Sequence, residues 1–518
     1  MATVPHNEQK PGIAHAVTRW VMVLIASFAI VMAILLATNW PFTKTKIIQR
    51  LEHFSSCEVE VSRFEKEYFP HPGYVAEGIK FTRRSNGKPV QMAFVKRMYA
   101  RASWAALMTF THRLSQLRIE GLHVFIPAPV PRAIPFYSDM KDKTTISVLT
   151  ADGTLLDIAS RQPGGGLLRF EFHTLELKEV KKEKSIALNT VLRIPKPPGE
   201  LRVLAHFGPF EKDRLSKMPL SGSYELRNTD LGSMEAIGGE LASNGSFKGP
   251  LSRCDVHGKV SIHNFEVRKV HHPVDLNGDF DTQVDGMHGN LILTSTNLSF
   301  LGTKLEARGE IQSDPGQHGK IESLKIVSEH ARVEDLLRMF SKALPPAMSG
   351  PITLHTNVVL PPGPGQFLKK IRMDGAFKIS EGRFLNTRTQ ANVDKLSRRA
   401  RGKSAKTIDA AEEEMPSTFE AAVQVRQGTA TLSNAEFKTV GATATGHGTY
   451  NLLTQEIDLR GKLAMQASLS KAAGGIKSVL LVPLDPFFKK PGAGAVVPIH
   501  GTGTYSHPSF HVSLKGEK

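Results

Sequence analysis

From Cys57 to the C-terminus the dominant pattern is alternation of apolar and polar residues, the period of a strand with one buried and one wet face. Val59 and Val61 alternate with charges, and Tyr74 to Phe81 (YVAEGIKF) repeats the pattern after the Phe69-Pro70 break. The same holds for Val260 and Ile262, Leu291 and Leu293, Phe377 and Ile379, Ala421 with Val423 and Val425, Leu459 with Leu463, and Phe510 with Val512 and Leu514. Roughly 25 to 30 such strands are expected against roughly three to five helices. So few helices cannot cover the apolar faces of so many strands. The sheet must close on itself, pack on a second sheet, or curl around something apolar. Two architectures stand open. Periodicity leans to separate β-sandwich domains whose apolar faces make their own cores. The other is one long meander with a continuous apolar strip, on the order of 130 Å long at about 4.8 Å per strand.

Helical spacing is confined to a few stretches. Thr43 to Phe54 places Ile47, Ile48, Leu51 and Phe54 on one face beside a basic one, which suits either a membrane surface or the cap of a core. Ser103 to Leu117 and Val333 to Ala343 read as helices set between strands, a loose internal repeat. Pro345 and Pro346 stop the second. Asp152-Gly153, Asn244-Gly245, Asn277-Gly278, Asp285-Gly286 and Asp374-Gly375 read as hairpin turns. Asn386 to Glu414, strongly basic and then acidic, interrupts the strands as a solvated helix or surface loop.

Ahead of the strands lies the run Trp20 to Ala37 (WVMVLIASFAIVMAILLA), which has no charged side chain. At about 1.5 Å per residue a helix of that length crosses a hydrocarbon core. It is longer than the apolar core of a cleaved signal, and its exit through Thr38, Asn39, Trp40 and Pro41 offers no small-residue cleavage site. The expectation is a retained anchor built on Trp20, Leu24, Phe28, Val31, Leu35 and Trp40, with the two tryptophans at headgroup level. The positive-inside rule does not orient it, since Lys10 and Arg19 precede it and Lys44, Lys46 and Arg50 follow. Long domains translocate regardless of charge, so the N-terminus is placed in the cytoplasm and the body across the membrane.

The net charge of +17 fits nucleic acid or anionic membrane surfaces. Beside an anchor, and with no aromatic residues interleaved among the basic ones after Asn386, lipid is the better partner and nucleic acid is not expected. Two cysteines, Cys57 and Cys254, allow at most one bridge. No Gly-x-Ser-x-Gly elbow, His-Glu-x-x-His or phosphate loop occurs. His257, His263, His271 and His272 match no zinc spacing. Neither enzyme, cofactor nor metal is expected.

The stretches MDGAFKISEGRF from Met373, ATATGHGTYNLLTQEIDLRGKLAM, KSVLLVPLDPFFKK and VVPIHGTGTYSHPSFHVSL resemble, in that order, the C-terminal region of AsmA-like proteins. RMYARASWAALM and LRIEGLHVFIP, after an anchor, a short helix and Phe69-Pro70, are similar to that family's N-terminal region. The resemblance implies an inner-membrane anchor with the bulk of the chain in the periplasm. It implies a mostly β fold, in which a transmembrane helix leads into an elongated, curled antiparallel sheet of the chorein and AsmA-like, groove-forming kind with a few short helices. Its partners would be membrane phospholipids carried toward the outer membrane, with inner- or outer-membrane proteins at its ends. Divided accordingly, residues 1–19 are a cytoplasmic leader, 20–38 the anchor, 39–130 an N-terminal module, 131–365 a central β-rich region and 366–518 the C-terminal region. The candidate lipid-groove residues are Val260, Ile262, Leu291, Leu293, Phe377, Val423, Val425 and Val512. Two other functions stay open, strand addition to nascent outer-membrane proteins and a membrane-tethered structural β-array.

Overall fold

The computed structural model describes Ser27, Val31 and residues 40–512, except 86–87, 110, 112, 128–144, 160–166, 182, 210–214, 235–236, 269, 314–318, 343, 364, 402–414, 468–493 and 505–506. The chain is mostly strand and divides into two compact units. The first comprises Met1–Ser160, Gly166–Thr190 and Gly208–Lys212, and the second Arg161–Gly165, Val191–Phe207 and Asp213–Lys518.

The first unit begins with α1 (Lys44–Ser55), followed by β1 (Glu58–Glu67), β2 (Gly73–Ser85), β3 (Lys88–Ala102), α2 (Trp104–Met108), β4 (Arg113–Ile126), β5 (Thr145–Ala159) and β6 (Leu167–Val180). β1 to β4 pair antiparallel in sequence order, β5 runs parallel to β4, and β6 is antiparallel to β5. Ile47 is buried on α1, and Ile48 and Leu51 pack beside it on a core of Val59, Val61, Ile79, Val95 and Met98. Helix α1 is therefore the cap of a core. The alternating segments at Val59 and Val61 and from Tyr74 to Phe81 fall in β1 and β2, but the helix expected over Ser103 to Leu117 ends at Met108. Ser103 caps it by accepting from Ala106 N at 3.1 Å. The Thr109 and Thr111 hydroxyls then donate back to the carbonyls of Ala105 and Ala106 at 2.8 and 3.1 Å, closing the last turn. From Arg113 the backbone instead pairs with strands on both sides, and two ladders outweigh one turn of helix.

Asp157 on β5, 3% exposed at its side chain, accepts two hydrogen bonds from Arg169 of β6 at 2.7 and 2.8 Å. It is also 2.8 Å from His123 Nε2 of β4. The Arg169 hydrogen bonds, against the cost of burial, hold its carboxyl down to about 2. A depressed carboxyl stabilises the fold above its unfolded pKa and loses that contribution as pH falls through the folded one, so the window runs from about pH 5 to about pH 2. Over that interval β5 and β6 are expected to lose about 2 kcal/mol, or about 30-fold in hydrogen-exchange protection after correction for intrinsic rates. Asp157→Asn should flatten this dependence. Equal slopes in parent and variant would remove Asp157 as its source.

Strand β7 (Ile186–Pro195) is divided between the units. The second unit continues through β8 (Pro198–Phe207), β9 (Pro219–Asp230), β10 (Ile237–Pro250), β11 (Cys254–Val267), β12 (Val274–Asp285), β13 (Asn290–Phe300), β14 (Thr303–Ser313) and β15 (Lys320–Arg332). Then come α3 (Val333–Phe340), the two-residue β16 (Met348–Ser349), β17 (Pro351–Leu360), α4 (Phe367–Lys370), β18 (Arg372–Phe384) and α5 (Thr387–Ala400). The last strands are β19 (Ser417–Arg426), β20 (Thr429–Thr439), β21 (Ala442–Asn451), β22 (Glu456–Met465), β23 (Ala495–Thr504) and β24 (His507–Val512). From β8 to β24, with β16 set aside, each strand pairs antiparallel with the next. This is an open, curled meander, and the sandwich to which periodicity leaned is not what the strands build. Among the described residues no second sheet faces it.

Helix α3 keeps part of its expected face, with Val333 buried and Leu336 and Leu337 packed on the core, but Phe340 of that face is 64% exposed and Met339 is buried instead. Asp335 in its first turn accepts from Gly302 N and Thr303 Oγ1, both at 2.9 Å, which ties the helix to the β13–β14 turn. Helix α5 is capped by Asn386, whose side chain accepts from Thr389 N at 3.1 Å. Of the five dipeptides read as hairpin turns, only Asp285-Gly286 lies at one. Asn244-Gly245, Asn277-Gly278 and Asp374-Gly375 lie within β10, β12 and β18, and Asp152-Gly153 forms an irregularity inside β5 where Gly153 has φ +61°.

Candidate functional site

Register places the alternating apolar residues of the second unit on one face. Val260 of β11 lies opposite Gly278 of β12, which lies opposite Leu298 of β13 and so reaches Leu305 of β14. Ile326 of β15 meets Thr356 of β17, which meets Gly375 of β18, Val423 of β19, Leu432 of β20 and Gly448 of β21 in succession. The face continues through Leu459 of β22 to Gly501 of β23. Lys320 and Glu322, where β15 begins, share this register and bring charge to its start. At about 4.8 Å per strand the line from β8 to β24 measures about 70 Å.

The alternate residues face the other way and carry the charge. His263 and Asp275 lie 2.8 Å apart, Lys378 and Glu420 3.3 Å, His500 and Asp458 2.9 Å, and Arg426 makes two hydrogen bonds to Asp374 at 2.7 and 2.9 Å. Hydrogen bonds from Gln424 and Arg426 hold the Asp374 carboxyl below the usual carboxylate range. These pairs are exposed and each contributes little to stability. They identify the wet face.

The two faces differ in accessibility. Val260, Ile262, Leu291, Leu293, Phe377 and Val423 are half-buried, while their polar neighbours Lys259, Ser261, Thr294, Lys378 and Gln424, and the apolar Ile292, are exposed. Among the described residues no layer lies across the apolar face, and only the strand ends on one side are covered. There α3 packs over Val274, Phe300, Ile352 and Ile379, and Leu396 and Ala400 of α5 pack over Ala442, Met465, Ala495 and Val497. The arrangement is an apolar sheet face sealed by helices at the strand ends on one side and, among the described residues, uncovered over the rest of its width.

All the candidate groove residues fall on this face. Val512 pairs in register with Ile499 of β23, two residues along from Val497, which pairs with Leu463. Val425 differs from the rest in being 4% exposed, beside Met373 and Ala430, and so belongs to the core. Leu298, Leu305, Leu324 and Val358 share the face and were not singled out from sequence, although the same alternation marks them. Cys57 and Cys254 are buried free thiols.

Of the anchor residues, Trp20, Leu24, Phe28 and Leu35 lie outside the described residues, and Val31 is helical and exposed. Among the described residues no helix is long and apolar enough to cross a membrane. Trp40, expected at headgroup level, is 7% exposed, its ring 4.8 Å from Tyr68 and 6.5 Å from Trp104. No protein-family model, curated protein or solved structure matches the chain significantly.

Proposed function

We propose that this chain is an AsmA-like protein, anchored in the inner membrane by its N-terminal apolar run, and that it conducts phospholipid across the periplasm toward the outer membrane. Acyl chains lie along the apolar face of the second unit and headgroups stay in water at the open lip. The observation that supports this reading is the uncovered, half-buried apolar face continuous from β8 to β23. A soluble protein exposing so long an apolar strip would aggregate unless something apolar occupied it. Conduction is passive, and direction comes from a gradient or from partner proteins.

In-cell photocrosslinking tests it. A photoreactive residue at Val260, Leu293 or Val423 should yield phospholipid adducts, while Lys259, Thr294 and Gln424 on the polar face should yield none. Lipid adducts at both sets, or only intramolecular adducts at the inward set, would overturn the groove. Adducts from the inward set to nascent outer-membrane protein would replace it with strand addition.

A further inference from the structure

We infer that the turn between β1 and β2 together with α2 forms a platform that rests in the headgroup layer of the bilayer. The proposal depends on the anchor described above. Phe69 is 88% exposed, Tyr68 53% and Met108 54%, among the most exposed large apolar side chains described. The turn that carries Tyr68 and Phe69 is joined to the helix that carries Met108. Trp104 Nε1 donates to Pro70 O at 3.1 Å and Ala102 N to Pro72 O at 2.8 Å, which joins the turn to the segment around α2. Trp40 is seated between Tyr68 and Trp104. The chain therefore enters this unit between that turn and α2.

That entry point fixes the geometry. The apolar run ends at Ala37, three residues before Trp40, and a fully extended chain spans at most about 10 Å over that interval. The headgroup region on each side of a bilayer is about 5 to 8 Å deep. With the run in the hydrocarbon, the turn and helix on either side of Trp40 have nowhere to be but the boundary. Aromatic and sulfur-bearing side chains suit that depth. Lys44 and Lys46, exposed in the first turn of α1, add attraction for anionic headgroups. Exposed Phe69 and Met108 are thus explained without a protein partner, and burial of Trp40 has a use, because it clamps the anchor's exit rigidly to the platform.

The test uses the full chain with Cys57 and Cys254 replaced by Ala, reconstituted in vesicles of phosphatidylethanolamine and phosphatidylglycerol. Single cysteines introduced as Phe69→Cys, Met108→Cys, Leu24→Cys and Met287→Cys are labelled with a polarity-sensitive dye and challenged with lipids bearing a shallow nitroxide. Emission from positions 69 and 108 should fall about twofold or more, as for groups at headgroup depth, while position 287, in a turn of the second unit, stays bright. Quenching at 24 with bright emission at 69 and 108 would overturn the platform and leave the anchor standing. Bright emission at 24 would overturn both. Quenching at 287 equal to that at 69 would mean general adsorption, which also overturns the platform.

Discussion

A chain carrying Leu293→Asp together with Val423→Asp is expected to fold as the parent does and to co-purify with at least about tenfold less phospholipid. Both side chains are half-buried on a face that no other layer covers among the described residues, so the carboxylates can keep water in the empty protein and folding is spared. An acyl chain laid across them cannot keep that water. Desolvating an ionised carboxylate costs several kcal/mol, and a chain that lifts away to avoid it re-exposes methylenes at about 0.8 kcal/mol each. Three or four methylenes amount to about 3 kcal/mol, or about a hundredfold in occupancy at each site. Tenfold is the floor because lipid elsewhere on the strip is unaffected. Thr294→Asp and Gln424→Glu put charge on the polar face of the same strands and should leave the lipid content unchanged. Val425 is the wrong partner for such a test, since at 4% exposure its replacement by Asp would unfold the neighbourhood and confuse loss of lipid with loss of fold. Full lipid content in a folded double variant would mean that Leu293 and Val423 line no working channel.

What the sequence displayed and what it concealed follow from the range of each signal. Alternation is local, and residues such as Val260, Leu293 and Val423 could be assigned to an apolar face without knowing which strand lay beside them. What covers that face is not local, and a sandwich core and an open channel have the same period. Helix α3 was legible because Val333, Leu336, Leu337 and Phe340 repeat at helical spacing. Its tie through Asp335 to Gly302 and Thr303 was not, because the partners lie 33 and 32 residues away. The Asp157, His123 and Arg169 cluster was invisible for the same reason, being assembled from three strands. Asn277-Gly278 and its relatives misled because the residue pair that favours a tight turn also suits a strand that needs a polar side chain outward and none inward.

That second use of glycine leads to the sharpest structural expectation. Gly309→Val and Gly448→Val should each destabilise the second unit by about 3 kcal/mol or more, beyond the usual cost of overpacking. A Cβ on Gly309 would overlap the carbonyl oxygen of Ser323 on β15, and one on Gly448 the carbonyl oxygen of Asp458 on β22. Neither obstacle is the free end of a flexible side chain. Both are backbone acceptors in an adjacent strand, so relief requires the strands to separate and their ladder to break. Gly245, Gly278 and Gly375 meet the same kind of obstacle on β11, β13 and β17, so the close approach recurs along the apolar face. Hydrogen exchange should show the β14–β15 amides opening in Gly309→Val and the β21–β22 amides in Gly448→Val, each leaving the other pair protected. Arg308→Gln, one residue away but exposed on the polar face, should change stability by no more than about 0.5 kcal/mol. If Gly309→Val melts with the parent, the strands there have room to spare, and the tight curl inferred for this part of the sheet is wrong. If both glycine variants open locally while lipid adducts persist at Val260, the channel is carried by independent segments of sheet, and a break at one point does not empty the rest.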